Sequence, residues 1–145
     1  MTAAPPPSTV GLTRDAGFEI GVSRTIDHSS SAVWEYLTSQ DGIRRWLGGG
    51  LELPAAAGDR YTTPDGTTGE VRSFHPLDRI RLTWQPVDWD HPSTVQVAIV
   101  DRGGRTMLRF HQERLADPDE RARQRTHWAG VMDGVIADLA TGSGS

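Results

Sequence analysis

Proton-transfer catalysis needs an acid and a base with complementary roles, held within hydrogen-bond reach and shielded from bulk water. The chain offers few such groups. They are histidines 28, 75, 91, 111 and 127, the carboxylates Glu70, Asp88, Asp90 and Glu113 near strand-forming runs, and the phenol of Tyr61. Cysteine and lysine are both absent, so thiolate nucleophiles, Schiff bases, disulfides and Cys-based zinc or iron–sulfur sites are excluded. No HExxH, His-x-His or GxSxG spacing occurs, and zinc-protease and nucleophile-elbow chemistry therefore have no support. Asp88, Asp90 and His91 are close enough in sequence to share a cation, but their connector is rich in turn formers, where acids cap backbone groups. Neither a metal nor a cofactor is expected.

That connector is the odd part of "TWQPVDWDHPSTVQV", Thr83 to Val97. Trp84 ends a strand, Trp89 lies in the link, and Pro92 stands where the next strand begins, an edge position at which no ladder donor is lost. Two indoles near one mouth, with Trp46 and Tyr61 converging from other elements, would line an aromatic opening of the kind small-molecule sites use. A local cluster covering the sheet end fits the same residues about as well.

Several elements must position these groups. Phe18, Ile20, Val22 and Ile26 alternate as in a half-buried strand. Ser29–Ser31 then offers helix caps, followed by Val33, Trp34 and Leu37 at helical spacing. A second short helix holds Ile43, Trp46 and Leu47 and ends at Gly48–Gly50. From Leu51 onward, short β-rich runs alternate with turn signals, the pattern of an antiparallel meander. Its strands are expected at 58–63, 67–74, 79–84, 95–100 and 105–112, with Pro64-Asp65-Gly66 as one hairpin turn.

On the last of these strands Leu108, Phe110 and Gln112 share a face, which makes Gln112 the interior polar residue and leaves His111 out of phase. The clearest signal is the closing segment. Asp117 and Pro118 open it, and Trp128, Val131, Met132, Val135, Ile136 and Leu139 form one amphipathic stripe. About 22 residues at 1.5 Å each make a rod of roughly 33 Å, enough to cross a whole sheet. Its first half interleaves Arg121, Arg123 and Arg125 with Glu120 and Gln124. This reads as a solvated end, with His127 at the edge of the apolar stripe.

Bulk properties set the frame. A chain of 145 residues fits one domain, and five tryptophans can build a core although only 36% of residues are hydrophobic. A net charge of -4 without a basic patch argues against nucleic acid. No apolar run approaches membrane-spanning length and no signal peptide is evident, so a cytoplasmic protein is expected. Residues 1–16 and 141–145 read as flexible tails around a domain at 17–140.

The stretches "VWEYLTSQDGIRRWLG", "GDRYTTPDGTTGEVRSFHPLDRIRLTW" and "HPSTVQVAIVDRGGRTMLRFHQERL", with the "HW" of the last helix, resemble the START-like (SRPBCC) superfamily. The branch they resemble is that of the C-terminal domain of the Aha-type activator of the heat-shock-protein ATPase. The resemblance covers roughly residues 17–139. It implies an α+β helix-grip fold, in which a curved antiparallel sheet of six or seven strands wraps a long C-terminal helix and two short helices follow the first strand. It also implies binding of a hydrophobic or aromatic small molecule between sheet and helix. The expected wall is Trp46, Tyr61, Val71, Leu82, Trp84, Val97, Leu108, Phe110, Gln112, Trp128, Val131, Met132 and Val135. Two alternatives come with the resemblance: a cyclase or hydrolase using the same cavity through Glu70, His111 or Tyr61, and a stress-response protein that contacts a chaperone ATPase. A homodimer is compatible with either.

Overall fold

The computed structural model describes residues 12–13, 17–48 and 53–141. Its elements run β1 (Leu12–Thr13), β2 (Gly17–Ile26), α1 (Ser30–Thr38), α2 (Gln40–Trp46), β3 (Arg60–Thr62), β4 (Thr68–His75), β5 (Arg79–Trp84), β6 (Ser93–Asp101), β7 (Thr106–Leu115) and α3 (Pro118–Ala140). Seven antiparallel strands form one sheet in the order β1-β2-β7-β6-β5-β4-β3, so the first long strand closes against the last. This curved sheet, with the long helix after it and the helix pair after β2, is the helix-grip architecture expected above. The short β1 falls inside the 1–16 segment read as a tail. Gly49, Gly50, Leu51 and Glu52 lie outside the described residues, and Leu53 belongs to a loop.

Alternation fixes which face is covered. Cross-strand partners share a face, and the register pairs Ile20 with Gln112, Gln112 with Val95, and Val95 with Leu82. That row faces α3, whose Trp128, Val131, Met132, Val135 and Leu139 are all buried. Near the end of β7 one extra residue is inserted: Gln112 opposes Ile20, but Leu115 opposes Phe18. Arg114 takes up the insertion at φ 65°, and Leu115 thereby returns to the buried face at 3% exposure.

Ser39 joins the two short helices. Its hydroxyl donates to the Tyr36 carbonyl at 2.6 Å and accepts from the Gly42 N–H at 3.1 Å. A Cβ on Gly42 would fall 1.9 Å from the Tyr36 oxygen, so only glycine permits this close turn. Arg45 then clamps α2 to α3 with two 3.1 Å bonds to the Asp138 carboxylate, which also accepts the Tyr36 hydroxyl. The hydrogen bond from Arg45 is the main reason the Asp138 carboxyl titrates below its ordinary range.

The first half of α3 departs from the sequence expectation. It does not project as a solvated end, because Glu120 and Gln124 are buried and the Arg121 guanidinium donates to the Glu19 carbonyl at 2.7 Å. The Asp117 carboxylate caps the helix, accepting the Glu120 N–H at 2.7 Å.

Candidate functional site

Trp84 is the last inward-facing residue of β5 and remains half-buried. Its ring meets Trp89 of the connector edge-on at 5.3 Å and lies nearly parallel to His127 of α3 at 6.2 Å. His127 abuts Trp128 at 4.9 Å, and Trp128 stacks on Phe110 at 5.0 Å. A continuous file of rings therefore leads from the surface connector into the core. Pairs of this kind contribute about 0.5–1.5 kcal/mol each beyond the area they bury.

A chain of polar groups runs alongside. The Ser93 hydroxyl donates to the Trp84 carbonyl at 2.8 Å and accepts from Gln112 Nε2 at 2.8 Å. Gln112 Oε1 in turn accepts from Trp128 Nε1 at 2.8 Å and from Gln124 Nε2 at 2.9 Å. Gln112 is fully buried, and among the described residues no buried side-chain nitrogen or oxygen lacks a partner. Beneath the aromatic file the buried polar side chains thus form one self-satisfied amide node. Such a node can re-pair with a guest only if the guest replaces the bonds it breaks.

The connector is latched to the start of α3 by His91. One ring nitrogen lies 2.8 Å from Asp90 and the other 2.7 Å from Glu120 Oε1, while Trp89 stacks on the ring at 5.0 Å. The hydrogen bond to Asp90, followed by that to Glu120, raises the His91 pKa. Asp88 is exposed and Asp90 is spent on His91, consistent with acids that serve their own loop. His127 keeps exposed surface but shifts the opposite way, because Trp84 and Trp128 against its ring partly desolvate it and favour the neutral form.

Of the expected wall, every residue except Trp84 is buried. Tyr61 reaches the same end of the sheet as Trp84. Its ring crosses Gly69 and its hydroxyl donates to the Thr83 carbonyl at 2.6 Å, bordering an open depression of about 390 Å³. Burial pushes that phenol far above its ordinary pKa. Trp46 is held elsewhere, its indole donating to the Leu37 carbonyl at 2.9 Å. The neighbouring Arg45 meets α3 at Asp138, which is about 16 Å along the axis from His127. Of the three proton carriers considered for catalysis, Tyr61 and Glu70 both border that depression, but Tyr61 bonds to Thr83 and Glu70 pairs with Arg72 at 3.2 Å, while His111 lies elsewhere, 3.5 Å from Glu19.

Sequence reasoning placed Gln112 inside but missed its partners Ser93 and Gln124 and the latch acid Glu120. The signal was present. Carried back from Trp128, the helical stripe passes through Gln124 and Glu120, and the interleaved arginines concealed it.

A sheet gripping its last helix defines the class as START-like. The chain belongs to the Activator of Hsp90 ATPase homolog 1-like protein family, whose model matches residues 27–139. Solved structures share the fold at low identity. DynU16, from the dynemicin biosynthetic locus, is 21% identical with a TM-score of 0.72, over 86% of this chain and 48% of its own, so the chain spans about half its length. MLL2253 from Mesorhizobium loti is 22% identical with a TM-score of 0.72, over 85% of this chain and 97% of its own. PFC0360w, an HSP90 activator from Plasmodium falciparum, is 16% identical with a TM-score of 0.69, over 84% and 96%. No curated protein sequence matched the chain.

Proposed function

We propose that the protein binds a planar aromatic small molecule, in the cytoplasm, at the tryptophan-rich end of the space between sheet and α3. The observation that carries this reading is the Gln112 amide node buried beneath an aromatic file that begins at the surface. Packing alone has no need of four polar side chains there. A guest would slide between Trp84 and His127, displace the connector that Trp89 and His91 hold, and exchange hydrogen bonds with Gln112 or Gln124. The remaining expected wall, from Val71 and Leu82 through Val97, Leu108, Met132 and Val135, would form the apolar floor. A relative from the dynemicin biosynthetic locus adds support, since its setting is the making of a small molecule.

The test is a tryptophan-fluorescence screen of planar aromatic compounds against the intact chain. Saturable quenching should appear for the wild type and weaken at least tenfold in Trp84→Leu, whereas Trp34→Phe, on α1, leaves it intact. Quenching that is equal in all three proteins, or absent throughout, would refute the proposal.

A second reading rests on the family itself: contact with a chaperone ATPase, the Plasmodium falciparum protein being an HSP90 activator. Here the measurement is the ATPase rate of an Hsp90-type chaperone with and without added protein. Stimulation supports this reading, and an unchanged rate at saturating protein rejects it.

A further inference from the structure

The sheet's outer face carries a second cluster, unrelated to the aromatic end. Glu19 on β2 and His111 and Glu113 on β7 each offer one ligand atom, and these atoms all lie within 4.8 Å of one another. His111 and Glu113 share that face because they are two residues apart on a strand. Antiparallel pairing of β2 with β7 brings in Glu19, which is remote in sequence.

Two carboxylates, with side chains 31% and 12% exposed, face one guanidinium directly, that of Arg81 on Glu113. Arg121 is spent on the Glu19 carbonyl, and the exposed Arg109 leans over Gly21, the cross-strand partner of His111. Arg109 and Arg121 keep their charge, so a cation held here depends on direct ligation rather than on an excess of negative charge.

We propose that Glu19, His111 and Glu113 form a binding site for a divalent transition-metal ion of the zinc type. Zinc bonds of about 2.0–2.2 Å in tetrahedral geometry put neighbouring donors roughly 3.3 Å apart. His111 Nε2 and Glu19 Oε2 stand at 3.5 Å already, and the ligand atoms of all three residues lie within 4.8 Å of one another. An imidazole with two carboxylates favours zinc over magnesium or calcium, which take all-oxygen sets. Arg81 bonded to Glu113, with Gln96 accepting from Arg81 at 3.3 Å, supplies the outer hydrogen bonds that orient a ligating carboxylate. Three protein ligands leave one position open to water or a small anion. The site would also pin the sheet where β2 closes on β7.

Calorimetric titration of the metal-free full chain with zinc chloride tests this, with cobalt absorption as a second readout. The expected result is one equivalent bound per chain, a raised melting temperature, and visible cobalt bands of a four-coordinate site. Affinity should fall by roughly tenfold or more in His111→Gln and in Glu19→Gln, and stay unchanged in His75→Gln, an exposed histidine outside the cluster. Should His111→Gln fail to fold, the half-exposed Glu19→Gln carries the comparison. Absence of saturable binding by the wild type, or equal binding by wild type and Glu19→Gln, would overturn the proposal.

Discussion

Two histidines close to the same mouth are tuned in opposite directions, and each makes a pH prediction. His91 gains Asp90 and Glu120 on folding, so its folded pKa lies above the unfolded value of about 6.5. Its contribution to stability is fully present below that value and is lost as pH rises through the raised folded pKa. The His127 pKa is lowered because the flanking indoles desolvate its ring even though the residue keeps exposed surface; its neutral form costs nothing above about 6.5, and stability falls as pH drops through the folded pKa. NMR titration of the imidazole carbons should therefore give His91 above and His127 below 6.5. In Glu120→Gln the His91 midpoint should move down, and an unmoved midpoint would remove the latch. Gln112 makes a larger claim. Gln112→Met keeps the volume but orphans the donors of Trp128 and Gln124, at a cost of about 2–4 kcal/mol in urea unfolding. A loss under about 1 kcal/mol would mean the node is dispensable.

At the scale of elements, local rules and close approaches carry the fold. Asp117 caps α3, and Asp117→Ala should cost about 1 kcal/mol by chemical denaturation. Gly69 on β4 has a harder constraint, because a Cβ there would fall 2.0 Å from the Thr83 carbonyl and 2.4 Å from the Tyr61 hydroxyl. Gly69→Ala should cost about 3 kcal/mol and shift the Tyr61 ring, while Gly130→Ala on the exposed side of α3, with helical backbone and nothing within 4 Å of the new atom, should cost nothing. Equal losses at the two positions would show that the close approach at Gly69 is relieved at no cost. These elements were legible because their causes are local: alternation on β2 and β5, the Asp117-Pro118 start, and the Val131-to-Leu139 stripe all appear in sequence. The start of α3 was misread because Glu120 and Gln124 are polar residues on a buried face. Hydrophobic periodicity cannot reveal a side chain that is buried through hydrogen bonds.

For the molecule as a whole, antiparallel closure of β2 on β7 sets what the sequence could disclose. It brings Glu19 to His111, while the pairing of β6 with β7 and the return of α3 across the sheet bring Ser93 and Trp128 to Gln112, contacts that no spacing along the chain displays. The tryptophans at 84 and 89 announced an aromatic end, and the fold places that end over the amide node while holding Trp46 near the opposite part of α3. The five indole N–H signals report on each region separately. The most direct measurement is a nitrogen–proton correlation spectrum of these indoles during titration with a planar aromatic compound from the screen. The account predicts saturable shifts at Trp84, Trp89 and Trp128, the last losing or changing its bond to Gln112, with Trp34 unmoved. Shifts confined to Trp34 and Trp46, or none at Trp128 at saturation, would contradict it.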